Sequence, residues 1–318
     1  MIAGIDIGGT KTQILAEESG GKAGEKHVPT TEWRGRSDHE SDATALASLI
    51  LATTGGSPPV ATVVGAHGCD NDEDRLTLQT RLARLLPGAV LVLNDSELLL
   101  PASGKRSGIS VISGTGSIAV SRDRQRRMIA AGGWGWYLGD EGSASGLVRE
   151  AARAVRLSLD EGEPLDLLGR TLLDALSISS PIEIGRRLAE LGSAAGIGQF
   201  APLVFDAADK GSRTANHVIA AAGSSLSRLV EQLVERGAPR DAVVTGGGVI
   251  THQPRLFSAF RSALAHRLPD MELTLLKEPP VLGAIALARQ LGTGSLTEDL
   301  PLPHIGGVLK AENDGRAT

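Results

Sequence analysis

The most restrictive feature of the sequence is the stretch IAGIDIGGTKTQIL at residues 2–15. An apolar run ends in Asp6, a Gly-Gly-Thr turn follows, and a second apolar run begins. This order predicts two strands joined by a tight turn rather than a strand leading into a helix. Gly8 and Gly9 have no Cβ, so they can adopt positive φ and let the backbone approach a ligand closely. Successive N–H groups in such a turn form a concavity that suits an anion.

Polar side chains around this turn suit a polyphosphate. The hydroxyls of Thr10 and Thr12 and the ammonium group of Lys11 would add to the backbone donors, and Asp6 at the strand end could hold a hydrated Mg²⁺. An ordinary glycine-rich hairpin with a solvated Asp6 and Lys11 is the alternative, because short glycine motifs are frequent.

Length and composition narrow the class of protein. The 318 residues suit two domains, and 41% hydrophobic with 22% charged residues is typical of a globular protein. A net charge of −5 without a long basic run argues against general nucleic-acid binding. The single cysteine, Cys69, excludes a disulfide framework, a Cys-rich zinc site and an iron–sulfur cluster held by one chain's cysteines.

The hydropathy pattern predicts a cytoplasmic protein that does not cross a membrane. The first apolar run enters a strand at once, without the basic and long apolar regions of a signal peptide. No apolar run approaches the roughly 20 residues that a bilayer-spanning helix needs.

Strands and helices alternate in the first third of the chain. Continuous apolar strands are predicted at 60–65 and 89–93, with a helix at 74–85 between them, which indicates a parallel sheet covered on both faces. Ligands bind at the carboxyl ends of such strands. His67 follows the first strand, and Asn94 and Asp95 follow the second.

The opening hairpin then recurs. Strands at 109–113 and 118–121 flank Gly114-Thr115-Gly116-Ser117, which indicates a duplication at the scale of the fold. Apolar residues at helical spacing predict a mainly helical region over 144–236. A strand at 242–245 leads into Gly246-Gly247-Gly248. Helices are predicted at 254–267 and 280–291, and the residues after 292 are expected to form a loosely held tail.

Three glycine-containing turns therefore follow strands, and together they form the candidate nucleotide site. Two opposed hairpin turns can hold a polyphosphate from both sides, and a strand–Gly-Gly-Gly–helix turn lets a base or ribose lie close to the backbone. None has the Lys-Ser/Thr spacing of a P-loop. The candidate ATP-binding residues are Gly8, Gly9, Thr10, Lys11, Thr12, Gly114, Thr115, Gly116, Ser117, Gly246, Gly247 and Gly248.

With these motifs the chain resembles the actin/hexokinase/Hsp70 ATPase superfamily, and within it the N-acetylglucosamine kinase branch with its BadF/BcrA-like relatives. The resemblance covers about residues 1–291. Six motifs carry it, in this order: DIGGTKT at 6–12, NDSELLL at 94–100, GTGS at 114–117, GGWGWYLGDEGSA at 132–144, TGGGV at 245–249 and PPVLGAIALA at 279–288.

The resemblance implies an α/β fold with two ribonuclease-H-like, actin-like ATPase domains and a cleft between them. The small N-terminal domain would be 1–103, with the last helix, about 280–292, packing back onto it. The large domain with a helical insertion would be 104–279, followed by the tail 293–318. The implied activity is transfer of phosphate from ATP, with Mg²⁺, to a sugar.

Site roles also follow from the resemblance. Asp95 becomes the catalytic base, Asp140 contacts sugar hydroxyls, Asp6 holds Mg²⁺ through water, and Thr115 serves both phosphate and sugar. For Asp95 the alternative is a helix N-cap. Thr115 and Asp140 join the candidate substrate contacts Glu32, Trp33, His67, Asp70, Asp72, Asn94, Trp134 and Trp136.

Two of these assignments stay open at the sequence level. An indole can stack on a sugar face while its N–H binds a hydroxyl, so Trp134 and Trp136 are sugar contacts or packing residues at a domain interface. His67 is either a sugar contact or a structural residue at a strand end.

The acidic residues Glu32, Asp70 and Asp72 favour a cationic aminosugar. A charge-assisted hydrogen bond from a protonated amine to a carboxylate is stronger than a neutral one, so D-glucosamine is the preferred substrate and N-acetylglucosamine the alternative. N-acetylmuramic acid, for which Arg34 or Arg36 could supply a cation, and glucose also remain open.

Other classes fit less well. ROK sugar kinases usually carry a Cys-rich zinc motif, and the activators of CoA-ester dehydratases share an iron–sulfur cluster between subunits; one cysteine fits neither. A non-catalytic regulator that binds sugar or nucleotide is the alternative outside enzymes. The expected partners are ATP and a small aminosugar, without nucleic acid or membrane. A homodimer is compatible with the resemblance, since such kinases are often dimers.

Overall fold

The structure is a computed structural model that describes residues 1–19, 21–35, 39–297, 299–306 and 308–309. The chain divides into two compact units. The first unit comprises Met1–Ser107, Arg122–Met128 and the described residues from Glu278 onward, and the second comprises Gly108–Ser121 and Ile129–Lys277. Each unit contains a sheet with parallel and antiparallel neighbours together with helices, which confirms the predicted α/β class.

The first unit opens with the predicted hairpin and continues through alternating strands and helices. Its elements up to residue 102 are β1 (Ile2–Ile7), β2 (Lys11–Glu18), β3 (Gly21–Pro29), α1 (Thr30–Trp33), α2 (His39–Thr53), β4 (Ala61–Ala66), α3 (Asp72–Leu85), β5 (Ala89–Leu93), a 3₁₀ helix (Asp95–Leu98) and α4 (Leu99–Ala102).

The second unit begins with the second hairpin and is mainly helical after it. Its elements are β6 (Ile109–Ser113), β7 (Ser117–Arg122), β8 (Met128–Gly132), α5 (Gly135–Leu138), α6 (Ala144–Asp160), α7 (Leu167–Leu176), a 3₁₀ helix (Pro181–Glu183), α8 (Ile184–Leu191), α9 (Ala194–Gly198), α10 (Ala201–Asp209), α11 (Arg213–Glu235), β9 (Val243–Gly246), α12 (Gly248–His252), α13 (Pro254–Arg267) and β10 (Leu273–Leu275). The five strands lie in the order β10-β9-β6-β7-β8, with β6 parallel to β9 and antiparallel to β7.

The chain then returns to the first unit with α14 (Val281–Thr293), β11 (His304–Ile305) and β12 (Val308–Leu309). The seven strands of that unit lie in the order β12-β11-β5-β4-β1-β2-β3. β1, β4 and β5 are mutually parallel, whereas β2 pairs antiparallel with both β1 and β3. Three carboxyl ends therefore meet at one edge of this sheet.

The central strands of this sheet are covered on both faces, as their unbroken apolar runs predicted. Every residue of β4 and β5 is buried. Alternate side chains enter two different cores, because successive residues of a strand point to opposite faces. Val64 and Val92 belong to the core that includes residues of α2 and α3, and Val63 and Leu91 to the core that includes residues of α14.

Helix α14 approaches the sheet closely because glycines remove side chains from the contact. A Cβ added at Gly4 of β1 would lie 2.6 Å from the backbone N of Ile285. A Cβ at Gly283 would lie 2.2 Å from the carbonyl oxygen of Leu98, the last residue of the 3₁₀ helix that follows β5. The helix thus supports the segment that carries Asp95.

The prediction of a loose tail after residue 292 is wrong for part of that segment. His304 is buried and pairs antiparallel with Val90 at the edge of the sheet. Gln79 of α3 bridges to Nδ1 of His304 at 2.8 Å and donates to the carbonyl oxygen of Leu302 at 3.0 Å. Residues 310–318 lie outside the described residues.

None of the helices in the described ranges combines the length and apolarity that crossing a bilayer would require.

We expect Gly283→Ala to lower the free energy of unfolding by about 1–3 kcal/mol, because the added methyl group overlaps a backbone oxygen that cannot move without shifting the 3₁₀ helix. Equilibrium unfolding in urea measures the change. Gly292→Ala is the matched control on the same helix, where a Cβ would meet its nearest atom, Cβ of Ala61, at an ordinary 3.6 Å. Equal stability of the two variants would contradict the close approach of α14.

Candidate active site

Three side chains stand at the carboxyl edge of the parallel strands in the first unit. Asp6 lies near the end of β1, and His67 directly follows β4. Asp95 lies two residues after the end of β5. The His67 N–H donates to the carbonyl oxygen of Ile7 at 2.8 Å, and Nδ1 of His67 lies 3.7 Å from Oδ2 of Asp95. The sheet therefore brings together three residues that are distant in sequence.

Asp95 is held at the start of the 3₁₀ helix by its neighbours. Asn94 is the N-cap, and its side-chain oxygen accepts the Ser96 N–H at 3.0 Å. Oδ1 of Asp95 accepts the same Ser96 N–H at 3.0 Å, so Asp95 shares the capping role with Asn94. The other carboxylate oxygen of Asp95, Oδ2, faces His67. Burial raises the pKa of Asp95 to about 6, with His67 acting in the opposite direction and Asp70 adding to the rise.

Asp6 is the second perturbed carboxyl group. Burial, reinforced by the charge of Asp95, raises its pKa to about 7, while Lys11 acts in the opposite direction. Two neighbouring carboxyl groups that both resist ionisation suit a site where a cation or a proton is normally present.

A magnesium ion fits these residues only as a partly hydrated ion. Among the described residues, no group of three or more His, Cys, Asp or Glu side chains gathers to hold a metal. Mg²⁺ usually keeps several waters and needs only one or two carboxylates plus substrate phosphates. The partly buried Asp6 carboxyl beside the charge of Asp95 is compatible with that arrangement.

The turn between β1 and β2 is fixed by α1 rather than by unusual backbone angles. Neither Gly8 nor Gly9 uses the positive φ that glycine can adopt. The turn closes through the Gly8 N–H and the Lys11 carbonyl oxygen at 2.9 Å. Thr30 clamps it from α1, because its N–H donates to the Thr10 carbonyl oxygen and its hydroxyl to the Gly8 carbonyl oxygen, both at 2.9 Å.

Thr12 and Trp33 belong to this clamp. Thr12 is fully buried, its hydroxyl lies 3.0 Å from the hydroxyl of Thr30, and it accepts the indole N–H of Trp33 at 3.0 Å. The hydroxyl of Thr12 and the indole N–H of Trp33 are thus hydrogen-bonded within the protein. We therefore assign them to support of the turn, whereas the exposed Thr10 and Lys11 remain candidate phosphate contacts.

The acidic residues that suggested a cationic sugar are in different environments. Asp70 is exposed and accepts the Asn94 amide at 2.9 Å, and Glu32 is exposed on α1. Asp72 instead accepts hydrogen bonds from Arg122 at 3.1 Å and from Arg75 at 3.2 Å. Although burial works against it, Arg122 holds the pKa of Asp72 below its usual range. The charge on which the expectation of a sugar contact at Asp72 rested is thus already paired with two arginines.

In the second unit, three loops pack against one another around the turn after β6. Asp140, buried and at φ +61°, accepts the Ser117 N–H at 3.3 Å. Burial raises the pKa of Asp140, opposed by this hydrogen bond and by Arg149. A Cβ at Gly116 would approach the Asp140 carboxylate to 3.0 Å, and a Cβ at Gly247, which has φ +106°, would lie 2.5 Å from the Ser113 carbonyl oxygen. Glycine is therefore required at position 247, where the backbone has positive φ and meets another backbone, whereas a side chain at position 116 would displace the Asp140 carboxylate by a few tenths of an ångström.

Hydrogen bonds also hold other residues of these three loops in place. The α6 N-cap, Ser143, lies three residues after Asp140, and the Ala144 N–H donates to the Gly114 carbonyl oxygen at 2.8 Å. Thr115 and Gly248 are exposed, while Gly114 is only partly buried. Backbone and side-chain groups on this face are thus accessible to a ligand.

The two tryptophans of the GGWGWYLGDEGSA segment differ in exposure. Trp134 is 75% exposed, whereas Trp136 is partly buried and packs against the core of the second unit. The Trp136 ring also meets the Tyr137 ring edge to face, with centroids 5.7 Å apart. Trp134 therefore keeps a free indole face for a ligand, and Trp136 is mainly a packing residue.

Three residues that support the site were not predicted from the sequence: Thr30, Glu97 and Arg122. Glu97 had a readable signal, because Asn followed three residues later by Glu is the pattern of a capping box. Thr30 and Arg122 had none, since each acts on residues that are distant in sequence.

We expect Asp6→Asn to stabilise the ligand-free protein at high pH. The pKa of Asp6 in the folded state lies above its unfolded value, so the folded state binds more protons between about pH 4 and pH 7, and wild-type stability falls as the pH rises through that window. The stability difference between variant and wild type should grow by about 2–3 kcal/mol from pH 5 to pH 8 in Mg²⁺-free buffer, measured by urea unfolding. Asp270→Asn, at an exposed position, is the control. A difference that does not change with pH would contradict the raised pKa.

Comparison with known proteins supports the resemblance seen in the motifs. The model of the BadF/BadG/BcrA/BcrD ATPase family matches residues 3–288. The chain is 31% identical over 236 residues to an N-acetylmuramic acid/N-acetylglucosamine kinase of Clostridium acetobutylicum, covering 72% of this chain and 77% of that protein. It is 25% identical over 307 residues to an N-acetyl-D-glucosamine kinase of Dictyostelium discoideum, covering 90% of this chain and 96% of that protein.

The fold is also found among solved structures. A structure assigned as an N-acetylglucosamine kinase from Chromobacterium violaceum matches with a TM-score of 0.63 and 23% identity, covering 89% of this chain and 97% of that chain. At this identity the likeness shows the fold alone. Since the family model spans most of the chain and its motifs occur in order, this protein belongs to the BadF/BadG/BcrA/BcrD ATPase family, in the actin/hexokinase/Hsp70 superfamily.

Proposed function

We propose that this protein uses ATP to phosphorylate the 6-hydroxyl of N-acetylglucosamine. The observation that carries the proposal is Asp95, a carboxyl group at the carboxyl edge of the parallel strands, with a pKa raised to about 6 and a free oxygen facing His67. A base with this pKa is mostly ionised near neutral pH and still accepts a proton readily.

The reaction needs few groups from the protein. The sugar O6 attacks the γ-phosphorus of ATP, the bond from that phosphorus to the bridging oxygen breaks, and ADP leaves. Asp95 accepts the hydroxyl proton. Phosphoryl transfer depends mainly on positioning and on stabilising charge, so rigid placement of Asp95 is the main contribution of this edge.

ATP would be bound by the backbone N–H groups of the glycine turns. Thr10 and Lys11 beside the first turn, and Thr115 beside the second, are exposed and available to phosphate oxygens. Asp6 would hold Mg²⁺ through water, and the ion would neutralise charge on the phosphates. Cytoplasmic location and a homodimer stay predictions from the sequence.

N-acetylglucosamine is better supported as the acceptor than the glucosamine preferred from sequence. That preference rested on a set of carboxylates facing an amine. Asp72 is committed to Arg122 and Arg75, and Asp70 accepts a hydrogen bond from Asn94. The two relatives above are N-acetylglucosamine kinases by name. Asp140 and Trp134 remain candidate sugar contacts.

We expect Asp95→Asn to lower kcat by about 10²–10⁴-fold, because the amide cannot accept the hydroxyl proton. The Kd for ATP should stay within about twofold. A coupled ADP assay with N-acetylglucosamine and glucosamine gives both the loss and the preference, and kcat/KM should favour N-acetylglucosamine in the wild type. A wild type that binds ATP but phosphorylates neither sugar would support the non-catalytic regulator instead.

N-acetylmuramic acid is a second candidate acceptor, because Arg34 is available to a carboxylate. Arg34 lines a pocket of about 320 Å³ together with Trp33, His67 and Cys69. Its guanidinium donates to the His67 carbonyl oxygen at 2.6 Å, and within the described ranges it forms no ion pair with a carboxylate. His39, Asp42 and Asp74 also line the pocket, so its charge is mixed. Arg36 lies outside the described residues.

We expect Arg34→Met to lower kcat/KM for N-acetylmuramic acid by about 10–100-fold, since a hydrogen bond to a charged group contributes about 1.5–3 kcal/mol. The value for N-acetylglucosamine should change by less than about threefold. Arg34→Lys keeps the charge and should lose less with the acidic sugar. Equal losses for both sugars would show that Arg34 acts only through the His67 loop.

A further inference from the structure

A buried ion pair lies directly behind the residue proposed as the base. Arg122 and Glu97 form two hydrogen bonds, from Nε to Oε1 at 2.6 Å and from Nη2 to Oε2 at 3.0 Å. Each side chain is only 7% exposed. A paired geometry of this kind fixes the orientation of the carboxylate as well as its position.

Glu97 in turn holds the backbone of Asn94, the residue before Asp95. Its Oε2 atom also accepts the Asn94 N–H at 2.9 Å, while the Asn94 side chain caps the 3₁₀ helix through the Ser96 N–H. Asp95 is the residue between these two fixed points. A shift of the Glu97 carboxylate would therefore tilt the turn that aims Asp95.

Arg122 is also held in place by hydrogen bonds to its own segment and to the N-terminus of α3. It donates to the Arg126 carbonyl oxygen at 2.6 Å and to Asp72 at 3.1 Å. Asp72 in turn accepts the Met128 N–H at 3.1 Å, so both ends of the segment Arg122–Met128 are tied to the N-terminus of α3. This segment groups with the first unit, although the residues on either side of it in sequence belong to the second.

A gain in stability does not by itself explain the presence of this pair. Two buried charges lose hydration, and replacing a buried ion pair by apolar residues of similar volume is often neutral or stabilising. Precise placement of a neighbouring group explains the two charges better, because an error of about 1 Å in the reacting geometry can lower the rate about 10²-fold.

We propose that the Arg122–Glu97 pair positions Asp95 for phosphoryl transfer, through the Glu97 hydrogen bond to the Asn94 N–H. This inference rests on the proposed function, because it concerns the same base. Arg122 and Glu97 are positioning residues, since the contacts of both are with protein groups and neither meets the reacting atoms.

The test separates positioning from stability with a double substitution. Glu97→Met alone removes the acceptor for the Asn94 N–H and leaves Arg122 without its main partner, so it should lower both the melting temperature and kcat. Glu97→Met with Arg122→Met removes both charges and should recover much of the melting temperature. We expect kcat for N-acetylglucosamine to stay about 10–100-fold below the wild type in the double variant, with the Kd for ATP and the sugar KM within about threefold.

Two further variants complete the test. Glu97→Gln keeps an acceptor for the Asn94 N–H, so its kcat should lie within about fivefold of the wild type. Glu17→Met with Arg289→Met is the control for loss of a doubly hydrogen-bonded pair in the first unit, at 2.9 and 2.7 Å, although Arg289 is 54% exposed. Its kcat should not change.

The outcomes are distinct. A double variant at 97 and 122 whose kcat returns to the wild-type value together with its stability would overturn the positioning role and leave the proposed function intact. A wild type without turnover on any hexosamine would overturn the proposed function and the inference with it.

Discussion

At one edge of its sheet, the first unit holds two partly buried carboxyl groups, and the packing around them has to keep them there. Asp6 and Asp95 each resist ionisation because burial removes water, and the charge of Asp95 adds to the rise at Asp6. Such a pair costs stability in the ligand-free protein. The surrounding packing must be strong enough to hold both groups in place, and a bound cation and substrate would offset the cost.

Two helices, α14 and α1, support this edge of the sheet. α14 packs so closely that Gly4 and Gly283 have no room for a methyl group, and this fixes the strand and the 3₁₀ helix against each other. Thr30 and Trp33 brace the β1–β2 turn from α1 through Gly8 and Thr12. The second hairpin, in the other unit, has a different support, because Asp140 and the start of α6 hold it instead. The same sequence pattern is thus stabilised by two unrelated sets of contacts.

Much of the fold was predictable because its signals are local. The bounds predicted for β5, β6 and α13 match the structure, since an unbroken apolar run or a clear helical period defines each. The short helix α5 was not predicted, because four residues are too few to show a helical period. The docking of the tail was missed because a buried Gln79 recognises it from a position about 225 residues earlier.

The candidate site was predictable in its residues but less so in their partners. Asp95 and His67 could be placed at one edge from the rule for parallel strands. Asp72 looked like a ligand residue because it lies in an acidic loop, yet Arg122 reaches it from a position 50 residues later. Thr12 looked like a phosphate contact, but the indole of Trp33 uses its hydroxyl. Contacts between residues that are distant in sequence cannot be predicted from the residues around either partner.

The most direct test of the central claim is a crystal structure with N-acetylglucosamine and a non-hydrolysable ATP analogue in the presence of Mg²⁺. We expect the sugar O6 to lie within about 3 Å of a carboxylate oxygen of Asp95, with the metal on the side of Asp6. A complex in which O6 is hydrogen-bonded elsewhere, and Asp95 contacts only protein groups, would contradict the assignment of Asp95 as the base.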